Sequence, residues 1–256
     1  MERVKIDISK PYALAKSTGE IDFLKNETAF GHISIGIHGL NWSYNNQSSA
    51  VIAKDQNAKD GEFFGHINIP SSDGKRMIFN ESIGNLEEKG FDIHYKLYFP
   101  ESATLNSYQV SLLFDLDWIK GKSIDLIADD TKRLIAPAEY DSMTLASQKV
   151  NEVRIAGDSP EGFTIKFDNP NQLMIQDNRA FESDSIELRF TFHESGIGGE
   201  VPAETVTERR FNLTFNQPLS LILDENSYVD WSDTSNWFPF VLPYDDAPID
   251  MSFLNE

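Results

Sequence analysis

Alternation of apolar and polar residues with a period of two is the feature that most constrains the fold of this chain. From Phe91 to Phe99 every second residue is apolar. Successive side chains of a strand point to opposite faces, so this pattern predicts a strand with one buried face. The same alternation recurs between turn-forming segments, at residues 33–37, 110–118, 163–167, 186–192 and 211–215. We therefore expect mostly antiparallel strands.

Helical signals are weak by comparison. The best helical fragments lie within residues 123–150, and Pro137 interrupts them. Each strand has an apolar face to bury, and two sheets bury such faces by packing against each other. A length of 256 residues with 40% hydrophobic and 12% aromatic content is enough for a large core. The prediction is an all-β fold, a large two-sheet antiparallel β-sandwich with few short helices.

The charge of the chain excludes some classes of partner. A formal net charge of -19 repels phosphate backbones and anionic lipid head groups. We therefore expect no nucleic acid and no membrane as partners. A neutral polysaccharide remains compatible with this charge, and solubility alone also explains it.

Cofactor and metal signals are missing from the sequence. With no cysteine in the chain, disulfides, thiol nucleophiles and cysteine-ligated metals are excluded. There is no phosphate-binding loop, no nucleophile elbow and no zinc-protease motif. No cofactor is predicted. Acidic pairs at Asp129–Asp130 and Asp245–Asp246 are interpreted as solvated turn carboxylates, with a structural calcium ion as the alternative.

The character of the chain changes near its C-terminus. We predict a β-sandwich domain at residues 1–225 and an extended tail rich in aromatic residues and proline at 226–256. Aromatic side chains of the tail are expected to pack against the sandwich or a following domain. These are Trp231, Trp237, Phe238 and Phe240.

The last 20 residues, WFPFVLPYDDAPIDMSFLNE, carry a family resemblance. They resemble a junction in multimodular bacterial glycoside hydrolases of the cellulase family 5 clan, where this segment closes an N-terminal β-sandwich and precedes a (β/α)8 barrel. In strand density and length the preceding residues are similar to large supersandwich domains of galactose-mutarotase-like type. The resemblance implies a non-catalytic accessory domain of an exported protein, extracellular, periplasmic or at the cell surface. It also implies a C-terminal catalytic barrel as its intramolecular partner.

No signal peptide is visible in the opening residues, MERVKIDISK, which lack an apolar stretch. If the protein is exported, its leader is therefore expected to lie outside this sequence.

Catalytic residues are not evident from the sequence. Glycoside hydrolysis needs two carboxylates facing each other across a cleft. Asp115 and Asp117 share a face of the predicted strand 110–118 and are interpreted as solvated. Each of the five histidines is interpreted as a surface or locally hydrogen-bonded group. His32 and His38 are six residues apart, about 20 Å along an extended strand, and so cannot bind one metal directly.

A sugar-binding site is predicted where aromatic side chains stand among amides. Flat aromatic rings stack on the apolar faces of pyranose rings, and amides bind the hydroxyl groups. The segment Asn41 to Gln47 fits this requirement best. The candidate ligand-binding residues are Trp42, Tyr44, Asn41 and Asn45.

Three functions remain open at this point. The first is an accessory module that binds a plant or algal cell-wall polysaccharide or braces a catalytic barrel, and is not itself an enzyme. The second is a free-standing sugar-active enzyme of mutarotase or lyase type that uses a histidine and a carboxylate. The third is a structural spacer without a ligand.

Overall fold

Strands make up most of the computed structural model of this protein, which describes residues 9–53, 61–85 and 90–223. No helix in this part of the chain is long and apolar enough to cross a membrane. The strands are β1 (Tyr12–Ala15), β2 (Ile21–Lys25), β3 (Thr28–His38), β4 (Tyr44–Asn46), β5 (Val51–Ile52), β6 (Glu62–Asn68), β7 (Arg76–Asn85), β8 (Gly90–Phe99), β9 (Ala103–Asp115), β10 (Ser123–Ile127), β11 (Thr131–Ile135), β12 (Thr144–Ile155), β13 (Phe163–Asp177), β14 (Ser185–Val201), β15 (Thr205–Phe215) and β16 (Ser220–Leu223).

Helical structure is confined to single turns in the described residues. The α-helix α1 spans Leu116–Ile119, and 3₁₀ turns span Leu40–Trp42, Gln47–Ser49 and Asn178–Phe181. The all-β prediction is thus confirmed. The predicted domain boundary at residue 225 and the four aromatic residues of the tail lie outside the described residues.

All the strands belong to one hydrogen-bonded sheet. Its main path runs β16-β1-β2-β3-β9-β14-β13-β15-β8-β7-β6-β5, with β12, β10 and β11 branching from β13 and β4 pairing with β3. Every pair is antiparallel except β1 with β16. The layers of the predicted sandwich are therefore continuous through backbone hydrogen bonds, so that the sheet is large, mixed and curled.

Side-chain contacts between distant strands show how the sheet curls. Phe23 of β2 packs against Phe163 of β13 and Phe215 of β15, with ring centroids 6.3 and 5.5 Å apart. Glu81 of β7 accepts a hydrogen bond from Gln47, which follows β4. Both ends of the strand path thus fold over one core of apolar side chains, which forms a single buried cluster.

Two local predictions were wrong. The segment predicted to hold helical fragments, residues 123–150, forms β10, β11 and most of β12, because its apolar residues Ile124, Leu126 and Val150 pack into the core at strand spacing. The strand predicted to reach Trp118 ends at Asp115. The Asp115 carboxylate accepts a hydrogen bond from the Asp117 backbone N–H (2.8 Å) and so caps α1, and the two aspartates do not share a strand face.

Candidate functional site

The face of the sheet opposite the core carries a cleft of about 770 Å³. Its floor is formed by the outward side chains of β3, β9, β14 and β13, which are neighbours in the sheet. The wall is formed partly by the segment between β3 and β4. This size is within the usual range for small-molecule sites, about 300 to 1,000 Å³.

Strand register assembles the floor. Ser107 of β9 lies opposite His38 of β3 on one side and Glu194 of β14 on the other. Six residues further along β9, Leu113 lies opposite His32 and Glu187 in the same way. The cleft therefore has two ends about 20 Å apart along the strands, one marked by His38 and the other by His32.

A register shift places Glu194 in the cleft. In β14 the pairing with β9 shifts by one residue between Thr191 and His193. The extra residue, Phe192, reverses the alternation, as a β-bulge does, so that Glu194 points to the same face as Arg189. The strand pattern alone would have placed Glu194 on the core side.

Arg189 lies at the centre of the floor and is 4% exposed. Its Nη2 donates to Ser107 Oγ (3.0 Å) and to Gln109 Oε1 (3.4 Å), and its Nη1 donates to Gln176 Oε1 (3.4 Å). The Glu187 carboxylate is 4.0 Å from Nε. The buried guanidinium is thus held mainly by neutral oxygen atoms, which leaves its positive charge to act on neighbouring groups.

Glu187 is positioned by two neutral donors. Ser111 Oγ donates to its Oε1 (2.5 Å), and Asn178 Nδ2 donates to its Oε2 (3.4 Å). The carboxylate is an acceptor on the floor of the cleft, where ligand hydroxyl groups can donate to it.

The wall at the His38 end is aromatic. The His38 ring lies between Trp42 (5.5 Å between centroids) and Tyr44 (4.7 Å). Tyr44 lies across Gly36, where an added Cβ would be 3.1 Å from its hydroxyl oxygen, so the absence of a side chain on Gly36 makes room for the ring. Trp42 and Tyr44 remain 46% and 50% exposed. These two rings offer flat apolar surface at the mouth of a polar cleft.

The pKa values at the His38 end favour neutral groups at pH 7. Burial lowers the pKa of His38, the charge of Arg189 lowers it as well, and a hydrogen bond with the Gln109 side chain raises it in part, which leaves it at about 4. Burial, with the nearby Glu187 carboxylate, raises the pKa of Tyr44 to about 12. Imidazole and phenol are therefore both uncharged at pH 7.

At the other end of the cleft, His32 is charged. Its Nδ1 is 2.6 Å from Asp22 Oδ1 and its Nε2 is 3.1 Å from Glu20 Oε1. Burial alone would lower its pKa, but hydrogen bonds to Asp22 and Glu20 outweigh burial and raise the pKa to about 9. Both ring nitrogens are committed to carboxylates, so His32 has no N–H left for a ligand.

The predicted ligand-binding residues are divided by the structure. Trp42 and Tyr44 line the cleft, together with Asn46. Asn41 and Asn45 are not among the lining residues: Asn45 Nδ2 donates to the carbonyl of Asn68 (3.0 Å). Because β4 alternates, Tyr44 and Asn46 share a side and Asn45 points away. Ligand binding by the four predicted residues remains a prediction.

Sequence reasoning missed His38, Arg189, Glu187 and the polar floor. One sequence signal could have revealed the floor. On β9 the residues that alternate with the core residues are Ser107, Gln109 and Ser111, which are polar but carry no charge. All three are buried. A solvated face normally carries charged residues, so uncharged polar residues here indicate a covered, hydrogen-bonded face.

The metal hypothesis gains no support from the described residues. Within residues 9–53, 61–85 and 90–223 no group of three or more His, Cys, Asp or Glu side chains could hold a metal ion. Asp129 and Asp130 lie at the turn between β10 and β11. The pair Asp245–Asp246 is outside the described residues.

Comparisons with known proteins give matches of structure alone. No protein-family model and no curated protein matches the sequence. A galactose mutarotase related enzyme from Lactobacillus acidophilus is similar over 82% of this chain and 98% of its own, with 9% identity and a TM-score of 0.44. A galactose mutarotase-like protein from Lactobacillus casei is similar over 82% of this chain and 99% of its own, with 11% identity and a TM-score of 0.48. Neither is described as a glycoside hydrolase.

Proposed function

We propose that this chain is a carbohydrate-binding β-domain that holds a neutral saccharide in the cleft. The observation that best supports this proposal is the combination of two exposed aromatic rings, Trp42 and Tyr44, with a floor of buried hydrogen-bonding groups. Aromatic rings supply stacking surface for the apolar face of a sugar, and floor groups supply donors and acceptors for its hydroxyls. As in the expectation from the sequence, this domain acts as a non-catalytic companion of a glycoside hydrolase. Support for that second part is the C-terminal segment alone.

Replacing Trp42 tests the binding proposal. Trp42→Ala should weaken binding of the preferred polysaccharide about tenfold. The substitution removes a half-exposed stacking surface, and a loss of about 1.4 kcal/mol of binding free energy corresponds to that factor. Affinity electrophoresis against cellulose, xylan, mannan and mixed-linkage β-glucan measures this effect, with isothermal titration against the matching tetrasaccharides. Phe64→Ala is the control, since Phe64 is 44% exposed on β6 and does not line the cleft.

Two outcomes would contradict the binding proposal. Absence of binding to every polymer would leave the structural spacer as the better hypothesis. Equal loss of affinity in Trp42→Ala and Phe64→Ala would place the ligand outside the cleft.

A sugar-active enzyme is the second candidate, favoured by the position of His38 and Glu194. Both lie opposite Ser107 on neighbouring strands, so their backbones are about 10 Å apart across β9. A histidine and a carboxylate at this separation can flank one sugar ring. The backbone of Glu187, by contrast, lies opposite Leu113, six residues along β9 from Ser107.

The pKa of His38 restricts the roles it can play. With a pKa of about 4 it carries no imidazolium charge at neutral pH, so it can act there as a hydrogen-bond donor or a general base but not as an imidazolium acid. Polarimetry of freshly dissolved α-D-galactose and α-D-glucose, together with reducing-sugar assays on the four polymers, tests for turnover. Turnover by the chain that is lost in both His38→Gln and Glu194→Gln would establish the enzyme instead.

A further inference from the structure

A chain of hydrogen bonds leads from the centre of the floor to His38. Arg189 Nη2 donates to Ser107 Oγ (3.0 Å), and Ser107 Oγ lies 3.1 Å from His38 Nδ1. Gln109 Nε2 is 3.5 Å from the same Nδ1, and its Oε1 accepts from Arg189. Ser107 and Gln109 are fully buried, and Arg189 nearly so. These partners thus hold their positions in the absence of a ligand.

The donors and acceptors in this series of hydrogen bonds determine which ring nitrogen of His38 carries the proton. A guanidinium can only donate, so Ser107 Oγ must accept from Arg189. Its one hydrogen has two acceptors within reach, His38 Nδ1 at 3.1 Å and Gln109 Oε1 at 3.3 Å, and Nδ1 is the nearer. The Gln109 amide, whose oxygen faces Arg189, presents its NH₂ group to His38. Both neighbours of Nδ1 can therefore give a hydrogen to it, which makes Nδ1 an acceptor and places the ring proton on Nε2.

We propose that His38 is a specificity-determining donor of the cleft, held as the neutral Nε2–H tautomer by Ser107 and Arg189, which act as positioning residues. Its Nε2–H donates to an acceptor oxygen of a neutral saccharide, a hydroxyl or the ring oxygen, while Trp42 and Tyr44 cover the sugar face. The ligand part rests on the proposed function; the tautomer does not, because it can be measured without sugar.

Charges around His38 come from more than one strand. Arg189 and Glu194 stand on β14, and Tyr44 stands on β4, where its hydroxyl remains protonated. Arg189 is the buried charge among them, and it opposes protonation of the imidazole. The exposed Glu194 carboxylate would favour protonation, but water screens it. Binding of a neutral sugar should therefore vary little between pH 5 and 8 as far as His38 is concerned.

Nitrogen-15 NMR of the imidazole rings tests the tautomer directly. Long-range proton–nitrogen spectra of the whole chain, with the His38 signals assigned from His38→Gln, should show a protonated Nε2 and an unprotonated Nδ1 down to about pH 5. In Ser107→Ala the Nδ1–H form should gain population, because the nearer donor is lost and only the Gln109 amide, 3.5 Å from Nδ1, remains. In Arg189→Met the pKa of His38 should rise toward the ordinary value, because the neighbouring positive charge is lost.

A matched variant on the same strand is the control. Ser111→Ala removes a buried hydroxyl of β9 that bonds to Glu187 instead of His38. It should leave the tautomer and titration of His38 unchanged. If Arg189→Met fails to fold, Ser107→Ala decides alone. An Nδ1–H tautomer in the natural chain would overturn the proposal, and so would a Ser107→Ala variant that is folded and shows an unchanged His38.

Sugar titrations separate this inference from the proposed function. With cellotetraose, xylotetraose and mannotetraose as probes, the His38 Nε2 and Hε2 signals should shift on binding. Ser107→Ala should weaken the binding three- to tenfold, the range for one hydrogen bond, and Ser111→Ala should keep the Nε2 shift. If the predicted tautomer is found but no sugar binds, the proposed function and the donation from His38 to a saccharide are both wrong. If a sugar binds without a shift of the Nε2 signal, only the donor role of His38 is wrong.

Discussion

Glu81→Gln is expected to stabilise the protein, and the gain should grow as the pH rises from about 4.5 to about 8. Glu81 has no exposed surface and lies in the core among apolar side chains. Burial raises its pKa, the neighbouring Tyr95 and Gln47 side chains lower it and the Glu20 carboxylate raises it, with a net value of about 8. At neutral pH the folded protein therefore carries this carboxyl group in its protonated form.

The direction of the pH effect follows from proton linkage. Between pH 4.5 and 8 the unfolded chain has an ionised Glu81, whereas the folded chain keeps the proton. Folding in this range takes up a proton, so stability present below pH 4.5 is lost as the pH rises toward 8. Glutamine is neutral at every pH and avoids this cost, which amounts to roughly 3 to 5 kcal/mol at pH 8.

Glutamine also fits the surroundings of Glu81. Gln47 Nε2 donates to Glu81 Oε2 (2.6 Å) and to the Thr18 carbonyl (2.8 Å), and its Oε1 accepts from the Ile35 N–H (3.0 Å). A glutamine side-chain oxygen can accept the same bond from Gln47. Its amide can donate to the Tyr95 hydroxyl. Gln47 then keeps its position, and with it the hydrogen bond that it accepts from the backbone of β3.

Urea unfolding of the natural chain and of Glu81→Gln at pH 4.5, 6, 7 and 8 measures the effect. The difference in free energy of unfolding should be small at pH 4.5 and largest at pH 8. Glu62→Gln serves as the control, because Glu62 is exposed on β6, and it should cause little change at any of these pH values. A loss of stability in Glu81→Gln that is the same at pH 4.5 and 8 would show that the carboxyl group is not held protonated.

Local patterns were enough to predict the strands but not the strand partners. The stripe of Val110, Leu112 and Phe114 was assigned to the core and is buried. The opposite stripe of β9 becomes the floor only because β9 lies between β3 and β14. That placement joins Ser107 with His38, 69 positions away, and with Arg189, 82 positions away. A single sequence contains no local signal for such pairing.

Some of the functional residues could be predicted from the sequence, and for others the strand alternation gave the position but not the chemical state. Trp42 and Tyr44 were recognised because flat aromatic rings surrounded by amides suit the apolar faces and hydroxyl groups of a sugar. Glu81 shares the strand phase of Met77, Phe79 and Ile83, all buried, so alternation alone places it in the core. Its protonation depends on Glu20, Gln47 and Tyr95, which come from three other parts of the chain. Only the tertiary structure brings these groups together.

His32→Gln is expected to have the opposite effect and to destabilise the protein most at pH 6. The imidazolium joins Asp22 and Glu20, and Glu20 is 3% exposed. Because its folded pKa of about 9 lies above the ordinary value of 6.5, the stability that it contributes is full below pH 6.5. It is lost as the pH rises through 9. The contribution below pH 6.5 is roughly 2 to 3 kcal/mol.

Glutamine can replace only part of this arrangement. Its neutral amide can donate to one of the two carboxylates, so the other loses the imidazolium and keeps only its second partner, which is Lys16 for Asp22 (2.8 Å) and the Thr18 hydroxyl for Glu20 (2.9 Å). Urea unfolding at pH 6, 8 and 10 should show a deficit in free energy that shrinks as the pH rises. His94→Gln is the control, because His94 lies partly exposed on β8, 3.6 Å from Glu208. A deficit that stays constant from pH 6 to 10 would mean that His32 contributes through packing and not through its charge.

The two titrations are coupled through Glu20, which contacts His32 and raises the pKa of Glu81. Loss of the imidazolium leaves the Glu20 charge uncompensated, so the pKa of Glu81 should rise further in His32→Gln. Because Glu81, with a pKa of about 8, is already half protonated at pH 8, the gain from Glu81→Gln at that pH can grow by only about 0.4 kcal/mol in the His32→Gln background, which is close to the error of a double-mutant cycle. The coupling is therefore measured as a shift to higher pH of the range over which the Glu81→Gln gain grows, and an unshifted range would show that Glu20 does not link the two groups. A positive coupling would connect the protonation of a core carboxyl group to a histidine that lines the cleft.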